Sequence, residues 1–141
     1  MIYDLIVIGA GSGGVRAARI ASSHGAKVAI IEGSKFGGTC VNLGCVPKKL
    51  FYYVSQFNKD MDNYTSYGWS IKGKKLNWKK FITKKDSEIS RLNKIYKNIL
   101  VKNKVTVING FAKFLDQKTI KVANKKYTAK KFIIATGGKP R

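Results

Sequence analysis

The chain opens on an apolar run, Tyr3–Ile8, rich in Ile and Val and closed by Gly9. Such a run has the composition of a strand buried on both faces of a parallel sheet. From Ser12 to His24 the period changes. Val15, Ala18, Ile20 and Ala21 fall at helical spacing, and Gly25 supplies a C-terminal stop. Lys27–Ile31 is a second apolar run of the first kind. Strand, helix and strand together make a βαβ crossover of the usual size, about thirty residues.

A loop holding Gly33, Gly37 and Gly38 leads to Cys40 and Cys45. A helix is predicted to start near Cys45–Pro47, since proline is accepted in a first turn. Leu50, Tyr53, Val54 and Phe57 carry it on at helical spacing, and Asn63–Gly73 reads as turn-rich. Trp78, Ile82, Ile89, Leu92, Tyr96 and Ile99 then mark one face of a long, lysine-rich amphipathic helix. Four short strand-like runs follow, Val105–Ile108, Thr119–Val122, Lys126–Thr128 and Phe132–Ala135, with Asn124-Lys125 as a hairpin turn. There is no internal repeat. The pattern predicts one α/β domain, a Rossmann-like parallel sheet with a small antiparallel β-meander, running to Thr136–Arg141.

Charge changes this picture more than composition does. The apolar fraction, 44%, is ordinary for a globular domain, but 28 Lys and Arg stand against 7 Asp and Glu, a net charge of +21. A field of that sign attracts anions. Only four of the basic residues are Arg, and the lysines are scattered through helical and strand patterns. They read as a solvated surface rather than a nucleic-acid patch, with no zinc-finger or RNA-recognition signature beside them. No run approaches the ~20 apolar residues of a membrane span. The N-terminus lacks a basic n-region, so the expectation is a cytoplasmic protein without nucleic-acid or membrane partners.

Gly9-Ala10-Gly11-Ser12-Gly13-Gly14 fits G-x-G-x-x-G in its diagnostic context, between a strand and a helix, with Glu32 closing the next strand. Gly9 permits the tight turn, Gly11 lets backbone approach a pyrophosphate, and Gly14 lets the helix pack close. The helix N-terminus, at Ser12 and Gly13, offers unpaired N–H groups to phosphates. Glu32 would accept ribose hydroxyls and would repel a 2′-phosphate, leaving NAD or FAD and not NADP.

Cys40 and Cys45 admit three readings. A zinc site needs about four ligands, and His24 on another helix does not complete one. A structural disulfide is uncommon in a reducing compartment. A redox pair needs sulfurs that can approach, and Gly44 makes the intervening loop pliable. Cys45 also sits at a helix N-terminus with Lys48 one turn on, which favours its thiolate. The residues favour the redox pair. His24 reads as a surface residue, and no metal is expected.

The run Gly37-Gly38-Thr39-Cys40-Val41-Asn42-Leu43-Gly44-Cys45-Val46-Pro47-Lys48-Lys49 resembles the active-site signature of the flavin-dependent pyridine nucleotide–disulfide oxidoreductases. The resemblance extends to Ala135-Thr136-Gly137-Gly138, similar to that family's second FAD-contacting strand end. It implies that residues 1–141 are the N-terminal part of an FAD-binding domain, with the NADPH and dimer-interface domains of a homodimeric enzyme absent. The implied FAD contacts are Gly9, Gly11, Ser12, Gly13, Gly14, Glu32, Gly38, Thr39, Cys40, Cys45, Lys48, Ala112, Thr136 and Gly137. NADPH would reduce the flavin and the flavin the Cys40–Cys45 disulfide. Cys45 would lie nearer the flavin, Cys40 would attack the substrate disulfide, and Lys48 would stand beside flavin N5 as the third catalytic residue.

Pro47-Lys48-Lys49 is similar to the branch that reduces glutathione, trypanothione or thioredoxin disulfides, and Ser90–Tyr96 and Gly13–Arg19 point within it to glutathione disulfide. The implied substrate contacts are Ser12, Arg16, Arg19 and Tyr96. Trypanothione-reducing members carry Glu and Trp in place of Arg16 and Arg19. Leu43 and Phe111 are mild departures from some members. A free-standing, non-catalytic FAD or nucleotide-binding module is the competing reading.

Overall fold

A computed structural model describes residues 2–70 and 72–138. The predicted end of the chain, Thr136–Arg141, lies partly outside the described residues, as does Ile71 within the predicted turn-rich segment. The elements in chain order are β1 (Ile2–Ile8), α1 (Ser12–Ser23), β2 (Val28–Glu32), α2 (Gly38–Asn42), α3 (Cys45–Ser66), α4 (Trp78–Lys102), β3 (Thr106–Asn109), β4 (Ala112–Phe114), β5 (Thr119–Val122) and β6 (Lys125–Ile134).

One six-stranded sheet runs in the order β3-β2-β1-β6-β5-β4. β1 lies between β2 and β6 and pairs parallel with both, while β5 pairs antiparallel with β6 and with β4. The expected parallel sheet and antiparallel meander are thus one continuous surface. Side chains alternate across it. Val7, Val28 and Ile30 face one way and pack with Val15, Ala18, Phe36, Leu100 and Val105 beneath α1 and α4. Ile6, Ile8, Ala29 and Ile31 face the other way and pack with Ile108, Ile120, Val122 and Ala129.

The link between β3 and β4 explains how that second face is closed. These strands are the two edges of the sheet, yet only residues 110 and 111 separate them. A chain advances at most ~3.6 Å per residue, so the two edges must meet. The sheet curls until the β4–β5 hairpin covers the face that no helix covers. Gly110 marks the meeting point: its φ is +134, and a Cβ there would lie 2.7 Å from Val122 Cγ1.

Several predicted boundaries move. The helix from Cys45 continues to Ser66, through the first four residues of the segment read as turn-rich, because Asn, Tyr, Thr and Ser there are compatible with an exposed helix even though polar residues of this kind favour turns in isolation. The loop around Cys40 contains the short helix α2, and β4 went unseen; five and three residues are too few to show a period. Lys126–Thr128 and Phe132–Ala135 are parts of a single strand, β6, whose ends pair with different neighbours. The hairpin turn sits one residue earlier than predicted, at Ala123-Asn124, with Ala123 at φ 49. Of the predicted face of α4, Ile89 is buried and Trp78 is exposed against Phe51 and Phe81.

Asp4 ties three strands at the N-terminal end of the sheet. Its carboxylate accepts from the Lys27 backbone N–H at 2.8 Å and pairs with Lys130 Nζ at 2.8 Å. The Lys130 ammonium first, and then the Lys27 amide, hold its carboxyl below the usual carboxylate range. A depressed folded value means stability present above the ordinary carboxylate range and lost as pH falls through the folded value. Thermal unfolding followed between about pH 5 and pH 2 should show a shallower acid-side loss for Asp4→Asn than for the wild type. Parallel acid limbs would remove Asp4 from the acid response.

Candidate functional site

The carboxyl ends of β1, β2 and β6 open into a cleft of about 880 Å³. It lies where β1 sends the chain one way to β2 and receives β6 from the other side. Such switch points are where open α/β sheets bind ligands.

The glycine turn forms its floor. Gly9 has φ +104, and a Cβ on it would strike the Ala135 carbonyl at the end of β6. A Cβ on Gly14 would strike the Gly9 carbonyl oxygen and crowd Val7 Cγ1 at 3.3 Å. Gly13, by contrast, has nothing within 4 Å. The space beside Gly11 is taken by Gly38 Cα, 3.7 Å from where its Cβ would be, so the cysteine loop packs backbone to backbone on the turn. The Gly37 N–H donates to the Ala10 carbonyl at 2.8 Å and fastens that contact.

Glu32 stands at the rim. Its Oε2 accepts from the Ala10 N–H at 2.7 Å and its Oε1 from the Ser34 N–H at 2.8 Å. Each oxygen keeps a further lone pair for a hydroxyl donor. Beside it the Gly110 N–H donates to the Glu32 carbonyl at 2.8 Å, and Gly110, Phe111 and Ala112 line the cleft there, with Thr136 and Gly137 lining it after β6.

Cys40 and Cys45 are joined by a disulfide, with Cα atoms 4.7 Å apart. Cys40, on α2, is half-buried and lines the cleft; Cys45 is exposed at the first residue of α3 and does not line it. α2 begins after Gly37 in the left-handed conformation, at φ 92. Lys48 is exposed on the first turn of α3, where its N–H donates to the Gly44 carbonyl at 3.0 Å.

Of the residues expected at a nucleotide site, Gly9, Gly11, Ser12, Gly13, Glu32, Gly38, Thr39, Cys40, Ala112, Thr136 and Gly137 all line this cleft. Gly14 lies behind the turn, and Lys48 lies outside the lining with Cys45. Arg16 and Arg19 are exposed on α1, whereas Tyr96 is half-buried against the core beneath that helix. Sequence reasoning missed Ser34, Lys35, Asn42 and the positive role of Phe111. Phe111 is 81% exposed and its ring stands over Gly33, where a Cβ would lie 2.6 Å from Cε1. A large aromatic next to Ala112, opposite a glycine that follows the rim acid, was the available signal.

The family description "Pyridine nucleotide-disulphide oxidoreductase" matches residues 3–141. The chain is similar to a glutathione reductase of Nostoc sp. (strain PCC 7120 / SAG 25.82 / UTEX 2576), 49% identical over 98% of this chain and 30% of the relative. A glutathione reductase of Burkholderia cepacia is 45% identical over 98% of this chain and 31% of its own length. A thioredoxin reductase, SEP1, of Emiliania huxleyi is 39% identical over 99% and 31%. The chain therefore spans less than a third of the length of these curated relatives. Among the described residues, no helix is long and apolar enough to cross a membrane.

The glycines differ in what a methyl group would meet, and that separates packing from mere composition. Gly14→Ala should lower stability by ~1–3 kcal/mol through overpacking, whereas Gly13→Ala, on an exposed helical turn with open space, should be neutral or slightly stabilising. Denaturant midpoints of the two variants check this; equal midpoints would contradict the close-approach geometry.

Proposed function

Because the chain belongs to the pyridine nucleotide-disulphide oxidoreductase family, we propose that it is the FAD-binding, dithiol-bearing part of a homodimeric, NADPH-dependent reductase of glutathione disulfide. The observation that carries this reading is the position of the disulfide: Cys40 lines the cleft, and Cys45 joins it from the exposed head of α3. The pair stands at the rim of the cleft, within reach of a cofactor bound there and of a soluble disulfide outside it.

The residues present fit FAD. Gly9, Gly11 and Gly13 leave backbone free at the α1 N-terminus for a pyrophosphate, and Glu32 retains acceptor capacity for ribose hydroxyls. Thr39, Ala112, Thr136 and Gly137 would contact the remainder, with Lys48 supplying positive charge near the reacting ring. When bound, FAD supplies the means to pass electrons from NADPH to the disulfide.

The chemistry of the chain's own residues is thiol–disulfide exchange. Two electrons and two protons convert Cys40–Cys45 into a dithiol. The Cys40 thiolate attacks one sulfur of glutathione disulfide, breaking its S–S bond, and one glutathione thiolate leaves with a proton. Cys45 then attacks Cys40 in the mixed disulfide, the second glutathione leaves, and the Cys40–Cys45 bond re-forms. The α3 N-terminus favours the Cys45 thiolate. Such a dithiol belongs in a reducing compartment, and the reading places the protein in the cytoplasm.

Cys40→Ser and Cys45→Ser, made in the full chain and assayed with NADPH and glutathione disulfide, should each abolish turnover. Cys45→Ser should accumulate a glutathione adduct on Cys40, read by mass spectrometry, while Cys40→Ser should not form the matching adduct on Cys45. Full turnover in either variant would sink the dithiol reading, and an adduct confined to Cys45 would reverse the two roles.

The choice of glutathione over related disulfides rests on Arg16 and Arg19. They lie three apart on α1, hence on one face, and both are exposed. Glutathione disulfide carries carboxylates that guanidinium groups recognise bidentately. The relatives named glutathione reductase, at 49% and 45% identity, support the same choice. The double replacement Arg16→Glu, Arg19→Trp should raise KM for glutathione disulfide about tenfold or more with kcat little changed, because remote contacts act as uniform binding. An unaltered KM, or better wild-type turnover of trypanothione disulfide, would overturn the substrate assignment and leave the dithiol chemistry standing.

A further inference from the structure

We infer that Asn93, on α4, is a positioning residue for the Cys40–Cys45 pair: it holds the loop that carries Cys40 in its closing geometry when the two sulfurs are not bonded. The inference rests on the reading of the pair as redox-active and extends it to a residue outside the cysteine loop.

Four hydrogen bonds make the case. Asn93 Nδ2 donates to the Phe36 carbonyl at 2.8 Å and to Asn42 Oδ1 at 3.0 Å. Asn42 Nδ2 donates to the same Phe36 carbonyl at 3.1 Å and to the Gly38 carbonyl at 2.8 Å. A backbone carbonyl only accepts, so both amides must turn their nitrogens inward, and the pair can adopt only this orientation. Among the described residues, Asn93 is the only side chain from outside residues 36–42 that hydrogen-bonds that stretch. Phe36 and Asn42 bracket Cys40, so the network fixes the turn on which that cysteine rides.

The loop needs such a tie. α2 is five residues long, far below the length at which a helix holds itself, and Val41 is its one buried residue. Cys45 is anchored separately, at the head of the 22-residue α3. In the disulfide state the S–S bond itself joins α2 to α3. In the dithiol state that bond is gone, and the placement of the Cys40 sulfur against Cys45 depends on what else holds α2. α4 is a fit reference body. It is N-capped by Asn77, whose side chain accepts from the Lys80 N–H at 2.9 Å, and it is fixed to the core by the fully buried Leu100.

The network is thus worth more to the dithiol than to the disulfide as a restraint, and it keeps the effective concentration of one thiol at the other high. High effective concentration favours closure. Loss of the restraint makes the disulfide easier to reduce. A merely structural asparagine behaves differently: its loss destabilises both redox states alike and leaves the thiol–disulfide equilibrium where it was.

The test equilibrates the full chain in mixtures of reduced and oxidised dithiothreitol and counts free thiols after alkylation. Dithiothreitol supplies both electrons and both protons and leaves as its cyclic disulfide, so the exchange is balanced. Asn93→Leu, which keeps bulk and removes the donors, and Asn93→Asp, which keeps shape and removes the donors, should each shift the equilibrium about tenfold toward the dithiol, about 30 mV for a two-electron couple. Asn42→Ala should shift it similarly, and combining it with Asn93→Leu should add little. Should Asn93→Leu fail to fold, Asn93→Asp carries the test alone. Equilibrium constants within twofold of wild type in the folded variants overturn the inference while leaving the dithiol reading intact. A wild-type disulfide that no dithiothreitol mixture opens would defeat both.

Discussion

The architecture depends on one close approach, the place where Gly9, Gly14 and the end of β6 come together. A Cβ at Gly9 would collide with the Ala135 carbonyl, and one at Gly14 with the Gly9 carbonyl. Because neither exists, α1 starts directly over the end of β1 and lies flat on the sheet. The turn then exposes its own amides to the cleft and not to the core. The redox loop uses the same economy of atoms, with Gly38 packed on Gly11 and Gly37 hydrogen-bonded to Ala10. A single crowded junction therefore sets the position of the nucleotide floor and of the cysteines together.

A second constraint works from the far side. Two residues join the opposite edges of the sheet, and because Gly110 hydrogen-bonds the Glu32 carbonyl, they set Phe111 against Gly33 at the cleft. The scarce acids are spent at the two ends of the same strand pair. Asp4 accepts from the Lys27 amide where β1 begins, and Glu32 accepts from Ala10 where β1 has just ended. In a chain of net charge +21 these are two of only seven acidic residues. Both bind backbone N–H groups, interactions that lysine cannot make.

What the sequence showed and what it hid follow from how far each signal reaches. β1, α1 and β2 were legible because burial on both faces and a glycine turn leave little choice of residue. The fold class followed from that same stretch, and the pairing of the cysteines from the Gly37–Lys49 run. α3 ran past its predicted end because exposed helical turns and loops draw on the same polar residues, and only the chain's path decides between them. β6 was read as two strands because the exposed pair Lys130-Lys131 interrupts its apolar run. α2 and β4 carried too few residues to show a period. Asn93 was the least legible of all. It lies in the quoted run Ser90–Tyr96, but its partners are 57 and 51 residues away, and nothing local marks an asparagine on a half-buried helix face as a tie rather than a surface amide.

The charge that first seemed to set this chain apart acts on a different scale from these contacts. Lysine is a compact, strongly hydrated point charge on a flexible stem, and 24 of them scattered along the chain give a field without an address. Such a field raises the rate at which any anion arrives, and it is screened within about 10 Å at ordinary salt. Arginine is the residue that can convert arrival into recognition, because its planar fork fixes a carboxylate in orientation as well as distance. Only four are present, and two of them, Arg16 and Arg19, sit on α1, the helix whose N-terminus lines the cleft. On the reading proposed for Arg16 and Arg19, attraction is distributed over the surface and selection is concentrated on one helix. A change that removes lysines broadly should then alter encounter with all anions alike, whereas a change on α1 should alter the choice among them.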